Sequence, residues 1–276
     1  MNNIDRIIGS IYISLLLVAS VSSISLALPQ LTGSSWLWVY GEYLDTETIK
    51  EIAPDIIVLD PDLYTENAIS DLNEADITTL AHIPIGMVFN DSPLWFKVNF
   101  RPWILGVVGK VRLGHAIRVW QCPGWRNELG DYIEEDVMTK GFDGIFIDAE
   151  LPYRMYEEHR SELLDLISDV VDRFRGDFID SPIVVFGGGD ILKRDDIVCN
   201  IDGFAMEGVW WDNHRVRTGS RTTEAKTRIL KAAQGYGLKA FTVEYPDLPG
   251  DRIEVESEAS ALDFVLYIPS PYWSRY

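Results

Sequence analysis

The chain has only two cysteines, Cys122 and Cys199, and four histidines, at 82, 115, 159 and 214. Two cysteines in unrelated segments define no disulfide framework, and they read as isolated thiols. No H-x-x-x-H or H-E-x-x-H pairing occurs, so the sequence offers no zinc site, and no metal or other cofactor is expected. There is no G-x-S-x-G elbow, no phosphate-binding Walker loop and no G-x-G-x-x-G after the first apolar run. Bases are scarce as well: 24 against 43 acids, for a net charge of −19. Phosphate backbones need clustered Lys and Arg, so nucleic acid is not an expected partner. A surface this acidic suits solubility or a salty habitat, and it would also attract a cationic polymer such as one of amino sugars.

What is present is a long apolar start and then a repeating rhythm. From Ile7 to Gln30 the sequence is uncharged, with Ser25-Leu26-Ala27 offering small residues for signal cleavage. Residues 1–28 therefore read as a signal peptide. The same run is long enough to serve as an uncleaved anchor, in which case it is the only expected membrane contact. The remaining residues, 29–276, are expected outside the cytoplasm as one domain, of the size usual for a (β/α)8 barrel. Length alone would also allow two domains, and oligomeric state is not legible.

Eight short apolar runs recur: 36–40, 55–60, 78–86, 144–149, 183–189, 203–209, 239–245 and 263–268. Continuous rather than alternating apolar runs are the mark of parallel strands covered on both faces. Helical stretches lie between them. In 161–176, Leu163, Leu164, Ile167, Val170, Val171 and Phe174 share a face and Gly176 marks the stop; 223–237 starts at a candidate cap, Thr223. The fold class expected is α/β, a closed (β/α)8 TIM barrel rather than an open nucleotide-binding sheet.

Several runs end on an acid. GFDGIFIDAE (141–150) places Asp148 five residues after Asp143, and IDGFAMEGVWW places Glu207 five residues after Asp202. DIIVLDPD repeats the interval with Asp55 and Asp60, and FTVEYPD ends on Glu244. In such barrels the carboxyl ends of the strands form the mouth, so Asp60, Asp148, Glu207 and Glu244 are expected to converge there. The earlier acids of each pair fall at the opposite end, where turn chemistry is expected. Two facing carboxylates suit cleavage of a glycosidic bond. Clustered oxygen ligands for Mg²⁺ or Ca²⁺ are the rival chemistry. Trp210 and Trp211 follow Glu207, and Tyr245 follows Glu244, as rings that can stack on sugar faces. Trp38, Tyr40, Trp120, Trp125 and Tyr153 are further cleft candidates, whereas Trp36, Trp103 and Trp273 read as packing.

These segments resemble glycoside hydrolase family 114, the endo-α-1,4-polygalactosaminidase group, over about residues 36–268. GFDGIFIDAE is close to that family's G-F-D-G-[VI]-[YF]-[LI]-D signature. IDGFAMEGVWW, FTVEYPD, DIIVLDP and AIRVWQCPGW resemble four more of its segments, in order. The resemblance implies a retaining hydrolase acting on an α-linked polysaccharide, with galactosaminan the family's substrate. It implies Asp148 as nucleophile and Glu207 as general acid/base. Tyr40, Asp60, Glu244 and Tyr245 would line the cleft, with Trp120, Glu150, Trp210 and Trp211 as further substrate-binding candidates. The third strand departs from the family: AHIPIGMVF has His82 for a tyrosine and Met87 and Phe89 for two acids, while Gln121 and Cys122 replace a further polar step. These departures bear on the substrate more than on the reaction. They also keep a non-catalytic carbohydrate-binding barrel as the alternative function.

Overall fold

The computed structural model describes residues 31–108, 114–121 and 123–269. The apolar N-terminal run, Cys122 and Trp273 lie outside the described residues. The strands are β1 (Trp36–Val39), β2 (Ile56–Leu59), β3 (Thr78–Pro84), β4 (Met87–Phe89), β5 (Ile104–Val108), β6 (Gly114–Ile117), β7 (Gly144–Asp148), β8 (Ile183–Phe186), β9 (Gly203–Glu207), β10 (Lys239–Val243) and β11 (Val265–Tyr267). Eight of them form one parallel sheet in the order β1-β2-β3-β7-β8-β9-β10-β11. These eight are the apolar runs of the sequence, and the sheet curls into the expected barrel. Two side chains span the seam between its first and last strands. Trp36 Nε1 donates to the Val265 carbonyl at 3.1 Å, and the Tyr267 hydroxyl donates to the Trp38 carbonyl at 3.0 Å.

The printed pairings fix the layers inside the barrel. In a barrel with a shear of about eight, a layer advances one residue from each strand to the next, and alternate strands fill it. Trp38 registers with Val58 and Val58 with Leu80, so the layer through Trp38 continues at His82. The same step leads to Phe186 and then Val243. Ring contacts agree: Trp38 lies 5.4 Å from His82 and 5.3 Å from Phe186, centroid to centroid. Below them, Phe146 packs 5.9 Å from Trp36 and 5.1 Å from Trp38. Aromatic rings thus plug the interior, and the mouth begins above His82.

The first acid of each repeated pair is a clamp rather than a turn former. Asp55 Oδ2 accepts from the Ser34 and Ser35 amides at 2.7 and 2.9 Å, Asp143 Oδ2 from the Thr79 amide at 2.7 Å, and Asp202 Oδ2 from the Ile183 amide at 2.8 Å. Each carboxylate, just ahead of its own strand, pins the start of the preceding barrel strand. The glycines that follow two of them have steric reasons. A Cβ on Gly144 would sit 2.1 Å from the Pro182 carbonyl oxygen, and one on Gly203 would meet the Phe241 ring at 2.7 Å.

The helix expected over 161–176 spans Arg160–Asp177, with Leu163, Leu166, Ile167, Val170, Val171 and Phe174 buried. The next expected helix begins earlier, at Ser220, because Thr223 does not cap it: its hydroxyl donates to the Val209 carbonyl. One element was not expected. Between β3 and β7, the strands β4, β6 and β5 form a separate antiparallel sheet beyond the barrel mouth.

Candidate active site

Asp148 closes β7 and Glu207 closes β9. Asp148 registers with Phe186 and Phe186 with Ala205, so Glu207 stands two residues beyond the level of Asp148, two strands away. Leu59 registers with Ala81 and Ala81 with Ile145, which puts Asp148 in the same relation to Asp60. That is the step of a barrel layer. Asp60, Asp148 and Glu207 therefore form one ring of carboxylates directly above the ring of Trp38, His82, Phe186 and Val243.

Each carboxylate has its own setting. Asp148 Oδ2 meets His82 Nε2 at 3.1 Å, and Oδ1 accepts the Glu150 amide at 3.0 Å. His82 is buried, with its ring 5.3 Å from Tyr40. Glu207 accepts the Tyr245 hydroxyl on Oε2 at 3.2 Å. Burial pushes the Glu207 carboxyl above its ordinary range and Asp148 adds to this, while Arg154 and Tyr245 pull the other way. Glu150, in the short helix after β7, is pushed up to about 7, first by burial and then by the charge of Glu207. Arg154 spans these two acids, with Nε 3.5 Å from Glu150 and Nη1 3.8 Å from Glu207. The result is a compact group of three carboxylates beneath one half-exposed guanidinium.

The turn behind Glu207 explains why β9 stops there. Gly208 adopts φ +63, a conformation that a side chain disfavours, and Lys226 Nζ donates to the Glu207 and Gly208 carbonyls at 2.7 and 3.1 Å. Glu244 holds the rest of that loop. Its carboxylate has no exposed surface and accepts the amides of Val209, Trp210 and Trp211 at 2.8, 2.9 and 2.8 Å. Burial raises its pKa against those bonds.

Other expected positions divide. Tyr40 is 43% exposed at the rim, and Tyr245 reaches the acids. Asp60 is in the ring but roofed over. It faces a cavity of about 20 Å³ walled by His82, Met87, Phe89, Ser92 and Tyr132, room for about one water and not for a sugar. Glu244 is corrected from cleft residue to loop brace. Trp210 is corrected too: it borders an outer groove of about 650 Å³ between helices Ser220–Gly235 and Pro249–Ala261. Trp211 is half-buried and bridges Arg217 through the backbone. Trp120 stacks 4.0 Å from His159 and edge-on to Tyr156. Trp125 is fully buried and donates to the Ile85 carbonyl, so it packs rather than lines the cleft. Trp38 belongs to the interior ring. Tyr153 donates to Asp190 at 2.6 Å under Arg160. Arg154 was missed entirely, and His82 was read only as a departure. Its place alternating with Leu80 and Pro84 on β3 was the available signal.

No known family pattern and no curated protein matches the chain by sequence. Solved structures do match it in shape. The glycoside hydrolase domain of PelA from Pseudomonas aeruginosa superposes with a TM-score of 0.71 at 16% identity, covering 88% of this chain and 97% of that one. Ega3 of Aspergillus fumigatus, in complex with galactosamine, gives 0.65 at 14% identity, covering 86% and 91%. An α-galactosidase from Thermus thermophilus gives 0.55 at 12% identity, covering 89% of this chain and 60% of the enzyme. The chain has the fold of these glycoside hydrolase barrels.

Proposed function

We propose that this protein is a retaining glycoside hydrolase that cleaves an α-linked polysaccharide outside the cytoplasm, using Asp148 as nucleophile and Glu207 as general acid/base. The observation that carries the reading is the unequal setting of two carboxylates in one ring. Asp148 has a hydrogen-bond partner on each oxygen, which aims it, whereas burial raises the Glu207 carboxyl above its ordinary range. In the first step Asp148 attacks the anomeric carbon as the glycosidic bond breaks, and Glu207 gives its proton to the departing oxygen. In the second, Glu207 takes a proton from water, which attacks the same carbon and releases Asp148. Tyr245 orients Glu207, and His82 orients Asp148. An amino-sugar polymer is the substrate favoured by the net charge of −19 and by the three carboxylates gathered at the mouth.

The test is reducing-end release by residues 29–276 from a panel of polysaccharides that includes partly deacetylated α-1,4-galactosaminan. Glu207→Gln is expected to lower turnover by about 10²–10⁴-fold. Asp148→Asn should abolish it, with polymer binding kept in both variants. Binding without release by the unaltered chain, across the panel, would instead establish a carbohydrate-binding barrel.

A further inference from the structure

The barrel wall is closed more thinly at its seam than elsewhere. Every other pair of neighbouring barrel strands shares a hydrogen-bonded ladder, whereas β1 and β11 share none among the described residues. Only side chains span them, from Trp36 to the Val265 carbonyl and from Tyr267 to the Trp38 carbonyl. The outer face of the seam is also less covered. In a (β/α)8 barrel each strand is followed by a helix that returns over the outside of the wall. Helix Pro249–Ala261 does so after β10, but after β11 the described residues hold only Ile268 and Pro269.

A groove of about 630 Å³ lies along this face. Its floor includes Leu37 and Leu266, which point outward. Their neighbours Trp36 and Trp38 turn inward on β1, and Val265 and Tyr267 register with the inner-face residues Phe241 and Val243 of β10. One wall is helix Pro249–Ala261, and the other is Ile52, at the end of the helix that follows β1. Ile52 is 49% exposed and Leu266 is half-buried. The lining holds one base, Arg252, and two exposed acids, Glu256 and Asp263. Neither acid has an ion pair among the described residues.

We propose that residues 270–276, which lie outside the described residues, fill this groove and cover the seam in place of an eighth helix. Their sequence is SPYWSRY, three aromatic rings in seven residues, where the whole chain is 12% aromatic. Each such ring can bury about 150–250 Å². Trp273, read from the sequence as packing, gains a place to pack. The tether favours this segment over other occupants. Tyr267 and Ile268 themselves line the groove, so the chain leaves the described residues at its upper end, at high effective concentration. Pro271 suits the turn required there. From Ile268 the groove runs back to Asp263, about 17 Å along β11, and seven extended residues reach about 25 Å. Arg275 supplies a base for Glu256 and Asp263. The signal peptide expected over 1–28 leaves only Pro29 and Gln30 ahead of Leu31, too few to fill the groove from its lower end. The inference is independent of the proposed hydrolysis.

Residues 31–269 contain all eight barrel strands and the core packed on them, so the chain from residue 29 serves for the test without the apolar N-terminal run. In a Cys122→Ser, Cys199→Ser background, Ser260→Cys on the groove wall is combined with Ser274→Cys, and a short bis-maleimide is added. Ser161→Cys, exposed on helix Arg160–Asp177 and across the barrel from the seam, replaces Ser260→Cys in the control. Cross-linking within one chain should be about tenfold faster or more from position 260 than from 161. Trp273→Ser should lower Tm by about 5–10 °C, and ending the chain at residue 269 should lower it at least as much. Leu266→Ser should lower Tm less in the shortened chain than in the chain that runs to 276, because its cover is already gone. The proposal is overturned if position 260 reacts no faster than 161, or if Trp273→Ser leaves Tm unchanged. Cross-links that join two chains would also overturn it, by seating a second copy in the groove.

Discussion

Asp55, Asp143 and Asp202 do the same job at three depths, which makes the barrel's lower end a graded test of burial. Asp202 is buried, and besides the Ile183 amide it holds Arg175 Nη2 at 2.8 Å. Asp143 is half-buried and holds the Thr79 amide and hydroxyl, while Asp55 is exposed and holds Ser34 and Ser35. Asp202→Ala takes the carboxylate from a buried guanidinium, which keeps only the neutral Asn200, Ile179 and Ser181 carbonyls, and leaves an amide without an acceptor. Breaking such a pair costs about 3–5 kcal/mol. In a barrel of this size each kcal/mol lowers Tm by about 2–4 °C, so the drop should be about 6–20 °C. Asp143→Ala should cost about 2 kcal/mol, the loss of partly buried hydrogen bonds to a charge. Asp55→Ala should cost about 1 kcal/mol or less, since water replaces the carboxylate. Urea denaturation of the three variants gives the order directly. Asp202→Ala combined with Arg175→Met should cost less than the two single changes added, because each single change already removes the same ion pair. Equal losses at all three sites, or the greatest loss at Asp55, would refute the clamp reasoning.

Two further predictions concern protons at the mouth. Glu150 should titrate near 7 by carboxyl NMR and fall toward its ordinary 4.5 in Glu207→Gln, because the Glu207 charge is one cause of the rise. Since its folded value lies above its unfolded one, its contribution to stability is full below about 4.5 and is lost as pH rises to about 7. Tyr245→Phe removes a bond that lowers the Glu207 pKa, so the alkaline limb of kcat/KM should move to higher pH, with a loss of rate of about tenfold or less. An unmoved limb would show that Glu207 is not the proton donor that sets it.

The barrel was legible because its strands are buried on both faces, which leaves eight apolar runs in plain view. The excursion was not. Its strands Met87–Phe89 and Gly114–Ile117 are short and pair only with each other and with β5, so no periodicity announces them. Strand-end acids were legible as a class but not in their roles. Parity separates them. On β9, Gly203, Ala205 and Glu207 alternate on the inner face, and Gly144, Phe146 and Asp148 do so on β7. On β10 the inner face runs Phe241, Val243, Tyr245, so Glu244 turns outward and its neighbour enters the site. A shift of one residue exchanges the faces of a strand. Glu244 thus braces the loop, and Tyr245 occupies the level that the sequence had shared between them.

β3 and the short β4 that follows it shape the site by what they lack. Met87 and Phe89, where the resembled family carries acids, help to wall in Asp60, so one member of the carboxylate ring loses its access. His82, where that family carries tyrosine, turns instead toward Asp148. On the side of β7, β9 and β10, Glu150 and Glu207 flank Arg154 and Tyr245 meets Glu207, so the reaction proposed above would take its substrate contacts there. Under the proposed reaction, a sugar that approaches Glu207 would displace Arg154 or use it as a contact. Displacement would remove a positive neighbour from Glu207 and raise its pKa further, the direction that a proton donor to the glycosidic oxygen needs.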